Sequence, residues 1–149
     1  MEVGKLCTID TVCCTRDETV QGAAYLMRKH HVGDIVVVDE PDGERSPVGI
    51  VTDRDIVVSV IALGLDPLGL QVGDIMSDDL LVADEHEDVD ALIERMRLRG
   101  IRRVPVVGED GRLAGIVSAD DLLGYLAEEM EDLSRISPYQ QNHERRARQ

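Results

Sequence analysis

Two short segments of this chain carry hydroxyl and carboxylate side chains at a spacing that can do chemistry: Thr52-Asp53-Arg54-Asp55 and Ser118-Ala119-Asp120-Asp121. Each follows an apolar run ending in glycine, isoleucine and valine, Gly49-Ile50-Val51 and Gly115-Ile116-Val117. A hydroxyl with an acid three residues later is a variant of the capping box, in which the side chains satisfy free N–H groups at a helix start. Such a cap contributes about 1 kcal/mol. The same geometry also suits a ligand. A helix N-terminus offers free N–H groups and partial positive charge to a phosphate. The hydroxyl there donates to a phosphate oxygen, and a carboxylate one turn on accepts from ribose hydroxyls, as an acid does in the dinucleotide folds. The preceding glycine permits close backbone approach by a ligand or partner. Both uses stay open at this level.

Other chemistries lack their residues. No Ser-His-Asp or Cys-His grouping attends either motif, and there is no glycine-rich phosphate loop with a lysine. Acids are numerous, with 30 Asp and Glu, yet none forms a recognisable acid/base pair with a companion nucleophile, so an enzyme is not expected. Cys7, Cys13 and Cys14 are odd in number and crowd one end. They read as small core or edge thiols in a reducing compartment, and no Cys or His stands at metal-ligand spacing. His30-His31 reads as the polar end of a helix.

Composition narrows the partners. The 149 residues, 43% hydrophobic and 31% charged, are about one domain's worth of globular chain. No apolar run approaches the roughly 20 residues of a membrane span. Met1–Lys5 lacks a basic stretch followed by an apolar one, so no secretory leader and a cytoplasmic location are expected. The net charge is −14, and residues 135–149 hold four arginines against Glu144, which leaves −17 on the rest. Such a body repels nucleic-acid phosphates, and with no Trp, no Phe and three Tyr it offers no stacking platform for bases. Arg145, Arg146 and Arg148 are expected in a solvated tail that frays.

The elements that position the motifs come from an internal repeat. An offset of 69 residues aligns Val3-Gly4 with Val72-Gly73, Met27-Arg28 with Met96-Arg97, and Val37-Val38 with Val106-Val107. After a three-residue excess in the first copy, an offset of 66 aligns Gly49–Thr52 with Gly115–Ser118 and Asp55 with Asp121. Val20, Ala23, Ala24 and Met27, like Val89, Leu92, Ile93 and Met96, recur at amphipathic helical spacing. Helices are expected near 17–31 and 86–99.

The runs Ile35–Val38 and Val104–Val107 have the length of buried strands, and Pro105 predicts a strand start or edge. Turns at Glu40–Gly43 and Glu109–Gly111 lead to second strands at Val48–Val51 and Leu113–Val117. Further helices then run to about Ala62 and Leu133. The order α-β-β-α defines an α+β unit, used twice, with residues 3–63 and 72–133 as repeats, 64–71 as linker and 134–149 as a basic polar tail. Two packed copies leave two clefts related by an approximate twofold axis.

This pattern resembles a tandem pair of CBS domains, named for cystathionine β-synthase. The resemblance is carried by Ile75-Met76-Ser77, the helix end Met96–Ile101, Arg102–Val107 and Asp110–Asp121, and it covers roughly residues 3–130. It implies a regulatory module that binds an adenosine-containing ligand between the copies. Thr52 and Ser118 are then implied to contact phosphate, and Asp55 and Asp121 to contact ribose. Arg102 and Arg103 are implied to hold phosphate, and Val12, Cys13, Leu81 and Val82 to flank adenine.

The implied ligand is AMP, ADP or ATP, alternatively NAD or S-adenosylmethionine, with no cofactor required. The implied assembly is a homodimer signalling to a separate target protein. The copies are unequal: copy one has Gly33-Asp34 where copy two has Arg102-Arg103, and Asp34 would repel a phosphate, an effect that Arg54 can offset. One dominant phosphate site using Arg102 or Arg103 is expected. The competing reading is a structural or dimerisation protein whose motifs only cap helices.

Overall fold

The computed structural model describes residues 1–40 and 43–148. The first half runs through strand β1 (Cys13–Cys14), helix α1 (Val20–His30), strands β2 (Asp34–Asp39) and β3 (Ser46–Thr52), and helix α2 (Asp53–Ile56), which continues into a π-helical turn at Val57–Ile61. The second half runs through α3 (Val72–Ile75), β4 (Ala83–Asp84), α4 (Val89–Arg99), β5 (Arg103–Val107), β6 (Leu113–Ser118), α5 (Ala119–Ser134) and α6 (Ile136–Ala147). The sheets are ordered β1-β2-β3 and β4-β5-β6, parallel in the first pair and antiparallel in the second. The fold is α+β, as the order of elements predicts. Strands β1 and β4 have only two residues each, too short to show alternation, and the pattern of apolar residues did not mark them.

The long helices follow their sequences. Thr19 caps α1 by accepting from the Gly22 N–H at 2.9 Å, and the helix buries Val20, Ala23 and Met27. Asp88 caps α4, which buries Val89, Leu92 and Met96. Corresponding residues end both helices in the left-handed region, His31 (φ 55) and Gly100 (φ 63). Glycine adopts that conformation freely, whereas histidine is strained there by roughly 1 kcal/mol.

The strands form where the apolar runs lie. Ile35, Val36, Val37 and Val38 are at most 1% exposed, because β2 is covered on both faces. The three-residue excess falls in the first hairpin: eight residues separate the paired Val38 and Pro47, against five between Val107 and Leu113. Pro41 and Asp42 of the expected turn there lie outside the described residues.

Pro105 corrects an expectation. It is the buried third residue of β5, the middle strand of its sheet, and is neither a strand start nor an edge. The corresponding Val36 shows why proline is tolerated. Its N–H turns away from the hairpin partner and donates to the Val12 carbonyl at 3.1 Å. At Pro105 that outward donor is missing while the register with Ile116 on β6 is kept.

The packed cores do not coincide with the sequence repeats. Val3 is fully buried against Leu81, Leu92, Val104 and Val117, all of the second copy. Val72 is fully buried among Val20, Ile35, Val51 and Val60 of the first. Matching backbone bonds fix each crossing: the Val3 N–H donates to Glu87 and that of Val89 to Met1, both at 2.9 Å, while Val72 donates to Glu18 at 2.8 Å and Val20 to Leu70 at 3.0 Å. Thr8 and Ile116 exchange two further bonds, and Ser77 and Ile50 do the same.

This crossing explains the motif glycines. A Cβ on Gly115 would lie 2.5 Å from the Thr8 carbonyl oxygen, and one on Gly49 would lie 2.7 Å from Met76 Sδ. The close approach is by the chain's own crossing segment.

The C-terminal residues also differ from expectation. They form α6 instead of a frayed tail, although no residue of that helix is buried. Pro138 sits in its first turn, where a missing N–H breaks no helical bond, and Arg135 pairs with Glu131 at the junction.

Two glycines give a paired test. Gly115→Ala should destabilise the protein by about 1–3 kcal/mol, because the opposing atom is backbone. Gly124→Ala, in open space on α5, should stabilise it by about 0.5–1 kcal/mol. Urea unfolding of both variants measures the two signs.

Candidate functional site

Strands β3 and β6 each end on the motif hydroxyl, and the following helix starts there. Thr52 Oγ1 accepts from the Asp55 N–H at 3.1 Å, and Asp55 Oδ2 accepts from the Thr52 N–H at 2.9 Å. Ser118 and Asp121 repeat this at 3.1 and 2.8 Å. Both capping boxes are complete. The next residue of each motif is tied to the residue just before the antiparallel partner strand, β2 or β5: the Asp53 N–H donates to the Gly33 carbonyl, and the Ala119 N–H to the Arg102 carbonyl.

Each motif opens into a cleft whose far wall comes from the other repeat. Thr52, Arg54 and Asp55 share a cleft of about 610 Å³ with Leu81, Arg102 and Arg103. Ser118 and Asp121 share one of about 240 Å³ with Val12, Arg102 and Arg103. Two of the expected residues stand elsewhere. Cys13 lines neither cleft and faces a shallow depression beside Arg45. Val82 also lines neither, and its carbonyl accepts from Arg95 at 2.8 Å.

The crossing segments that carry the expected Val12 and Leu81 also supply Ser77, Asp79 and Leu80 to the larger cleft and Thr8, Asp10 and Thr11 to the smaller, residues the sequence does not single out for a ligand. These are offset by 69 residues, so the repeat held the signal. The repeat does not encode that each segment faces the opposite motif.

Charge is distributed unevenly. Arg103 Nε lies 2.8 Å from Asp34 Oδ1, and the Asp34 side chain is only 18% exposed. These two residues occupy equivalent positions: Asp34 pairs with Thr52 in one sheet, as Arg103 pairs with Ser118 in the other. Burial pushes the Asp34 carboxyl above the usual carboxylate range; Arg103 opposes that and Asp53 adds to it. Arg102 lies 3.3 Å from Asp120, with both side chains largely exposed, a pairing that contributes little. Arg102 and Arg103 line both clefts, so neither motif owns them.

Burial raises all three thiols, Cys14 to about 11, which leaves them protonated and poorly nucleophilic at neutral pH. Among the described residues, no three His, Cys, Asp or Glu side chains converge as a metal site needs. No described helix is long and apolar enough to cross a membrane.

The family model for the CBS domain matches this chain twice, at residues 3–61 and 72–128. The chain belongs to the CBS-domain family. An uncharacterized protein of Methanopyrus kandleri is 37% identical over 123 residues, covering 83% of this chain and 61% of that longer protein. Hypoxic response protein 1 of Mycobacterium tuberculosis is 34% identical over 116 residues, 78% of each chain. Among solved structures, a CBS domain pair in complex with 5′-methylthioadenosine and S-adenosyl-L-methionine superposes with a TM-score of 0.72 at 27% identity, covering 85% of this chain and 99% of that one. The tandem CBS pair is therefore both the sequence family and the fold of this chain.

Removing either capping hydroxyl tests the local energetics. Thr52→Ala and Ser118→Ala should each lower stability by about 1 kcal/mol, read as a shifted midpoint with an unchanged slope in urea unfolding.

Proposed function

We propose that this CBS pair is a non-catalytic sensor that binds an adenosine-containing ligand between its repeats and passes the bound state to a separate target protein. The observation that carries this reading is the larger cleft. There the hydroxyl–carboxylate pair of one repeat faces Leu80 and Leu81 of the other and two arginines, around a space of about 610 Å³. That volume lies in the range of small-molecule sites, and the cleft sets apolar Ile50, Leu80, Leu81 and Ile101 beside polar and charged groups that could orient a ligand. AMP, ADP and ATP share the adenosine that such a site would grip, as do NAD and S-adenosylmethionine. The adenosyl compounds held by a CBS pair of the same fold support this class.

Asp55 and Asp121 serve as the ribose acceptors in this reading. Their caps do not conflict with that role, since a carboxylate has about four lone-pair sites. Asp55→Ala and Asp121→Ala should each weaken adenosyl binding at their own cleft about ten- to hundredfold. Calorimetry against adenosine, AMP, ATP, NAD and S-adenosylmethionine measures this. The complete capping boxes favour a second reading, a structural protein with helix caps alone, and no binding by any of these compounds would establish it.

The assembly in this reading is a homodimer with a twofold, isologous interface. Val57 and Ile61 after α2 are each 56% exposed, and Leu123 and Met130 on α5 are 62% and 71% exposed. These helical faces are the surfaces a second copy would cover. Light scattering should give twice the 16.4 kDa chain mass, and a monomer at all concentrations would reject the dimer.

A further inference from the structure

The ion pair between Asp34 and Arg103 joins the two clefts and bears on which adenosyl ligands they accept. Arg103 lines both clefts, whereas Asp34 lines only the smaller. The pair is formed by equivalent residues of the two repeats, so its two halves face each other across the approximate twofold axis. With like residues there, two equal charges would meet; aspartate opposite arginine turns that contact into a bridge of 2.8 Å.

A guanidinium so held is already matched with an anion. Arg103 meets Asp34 through Nε, so a ligand phosphate that draws on the same guanidinium competes with the Asp34 carboxylate, which is 18% exposed and lies near Asp53. Drawing Arg103, itself 41% exposed, away from that half-buried carboxylate is unfavourable.

We propose that Asp34 is a specificity residue: it occupies Arg103 in place of a ligand phosphate and biases the clefts toward adenosyl ligands that carry no phosphate on the ribose. This rests on the adenosyl-binding reading above. Adenosine, or an adenosyl thioether or sulfonium, binds without disturbing the pair. AMP must compete with Asp34 for Arg103 or rely on Arg54 and the exposed Arg102. Because one guanidinium serves both clefts, at most one of them can hold a phosphate on Arg103.

The test compares AMP with adenosine by calorimetry on the full chain in three variants: Asp34→Asn, Arg103→Gln and the double substitution. Asn keeps the size of Asp34 and releases the guanidinium. The ratio of AMP to adenosine affinity should rise about tenfold or more in Asp34→Asn. It should not rise when Arg103→Gln is also present, because the effect acts through that side chain. A general loss of fold lowers both affinities and does not raise the ratio. An unchanged ratio in Asp34→Asn, or a rise that persists without Arg103, overturns the proposal while adenosine binding keeps the broader reading intact. Absence of both adenosine and AMP binding in the native chain overturns the proposal, and absence of binding by ATP, NAD and S-adenosylmethionine as well overturns the broader reading.

Discussion

The structure depends on a reciprocal crossing of two short segments. Val3 completes the core of the second repeat and Val72 completes that of the first, each with no exposed surface. About 60 residues bury too little surface to be secure alone, so each repeat supplies the apolar residue that the other lacks. Backbone bonds from Met1, Val3 and Thr8 to the second repeat, and from Leu70, Val72 and Ser77 to the first, hold the exchange in register. Gly49 and Gly115 follow from it, since only an absent Cβ leaves room for the passing segment. The clefts follow too. A segment that crosses to the other repeat becomes the far wall of the space above that repeat's motif.

Within this frame the two hydroxyl–carboxylate pairs cap helices at the mouths of the clefts. Thr52 with Asp55, and Ser118 with Asp121, close the first turn of a helix with reciprocal bonds of 2.8 to 3.1 Å. Those bonds also lock the side chains in one orientation at the mouth of a cleft. A group fixed in advance loses little freedom when a ligand arrives. In the proposed reading, capping and recognition would be successive uses of one rigid arrangement.

The repeats have diverged most visibly in charge, at their point of contact. Asp34 and Arg103 hold equivalent places and bond to each other, so a difference that looks local in sequence is a pairing in space. The body of the protein is strongly acidic, and two of the cleft arginines sit close to carboxylates, Arg103 at Asp34 and Arg102 at Asp120. The positive charge that Arg102 and Arg103 bring to the clefts is therefore already paired within the chain.

Much of this was legible in the sequence. Helical spacing in Val20–Met27 and Val89–Met96 specified amphipathic helices, and the apolar runs specified buried strands, because period and run length are local properties of the chain. The hydroxyl–carboxylate spacing specified the caps for the same reason. The doubled pattern, with its family resemblance, specified the CBS pair. Tertiary structure alone decided the rest. Pro105 could enter a central strand because its missing donor points away from the hairpin ladder. Residues 136–147 became helical although no buried face marks them. Cys13 and Val82 fell outside the clefts, and Arg102 and Arg103 came to face both. These outcomes depend on which segment passes beside which, and a crossing between residues nearly 70 positions apart leaves no local trace. The Asp34–Arg103 bridge is the clearest case: its two halves lie in different repeats, and only the packing of one repeat on the other brings their charges within 2.8 Å.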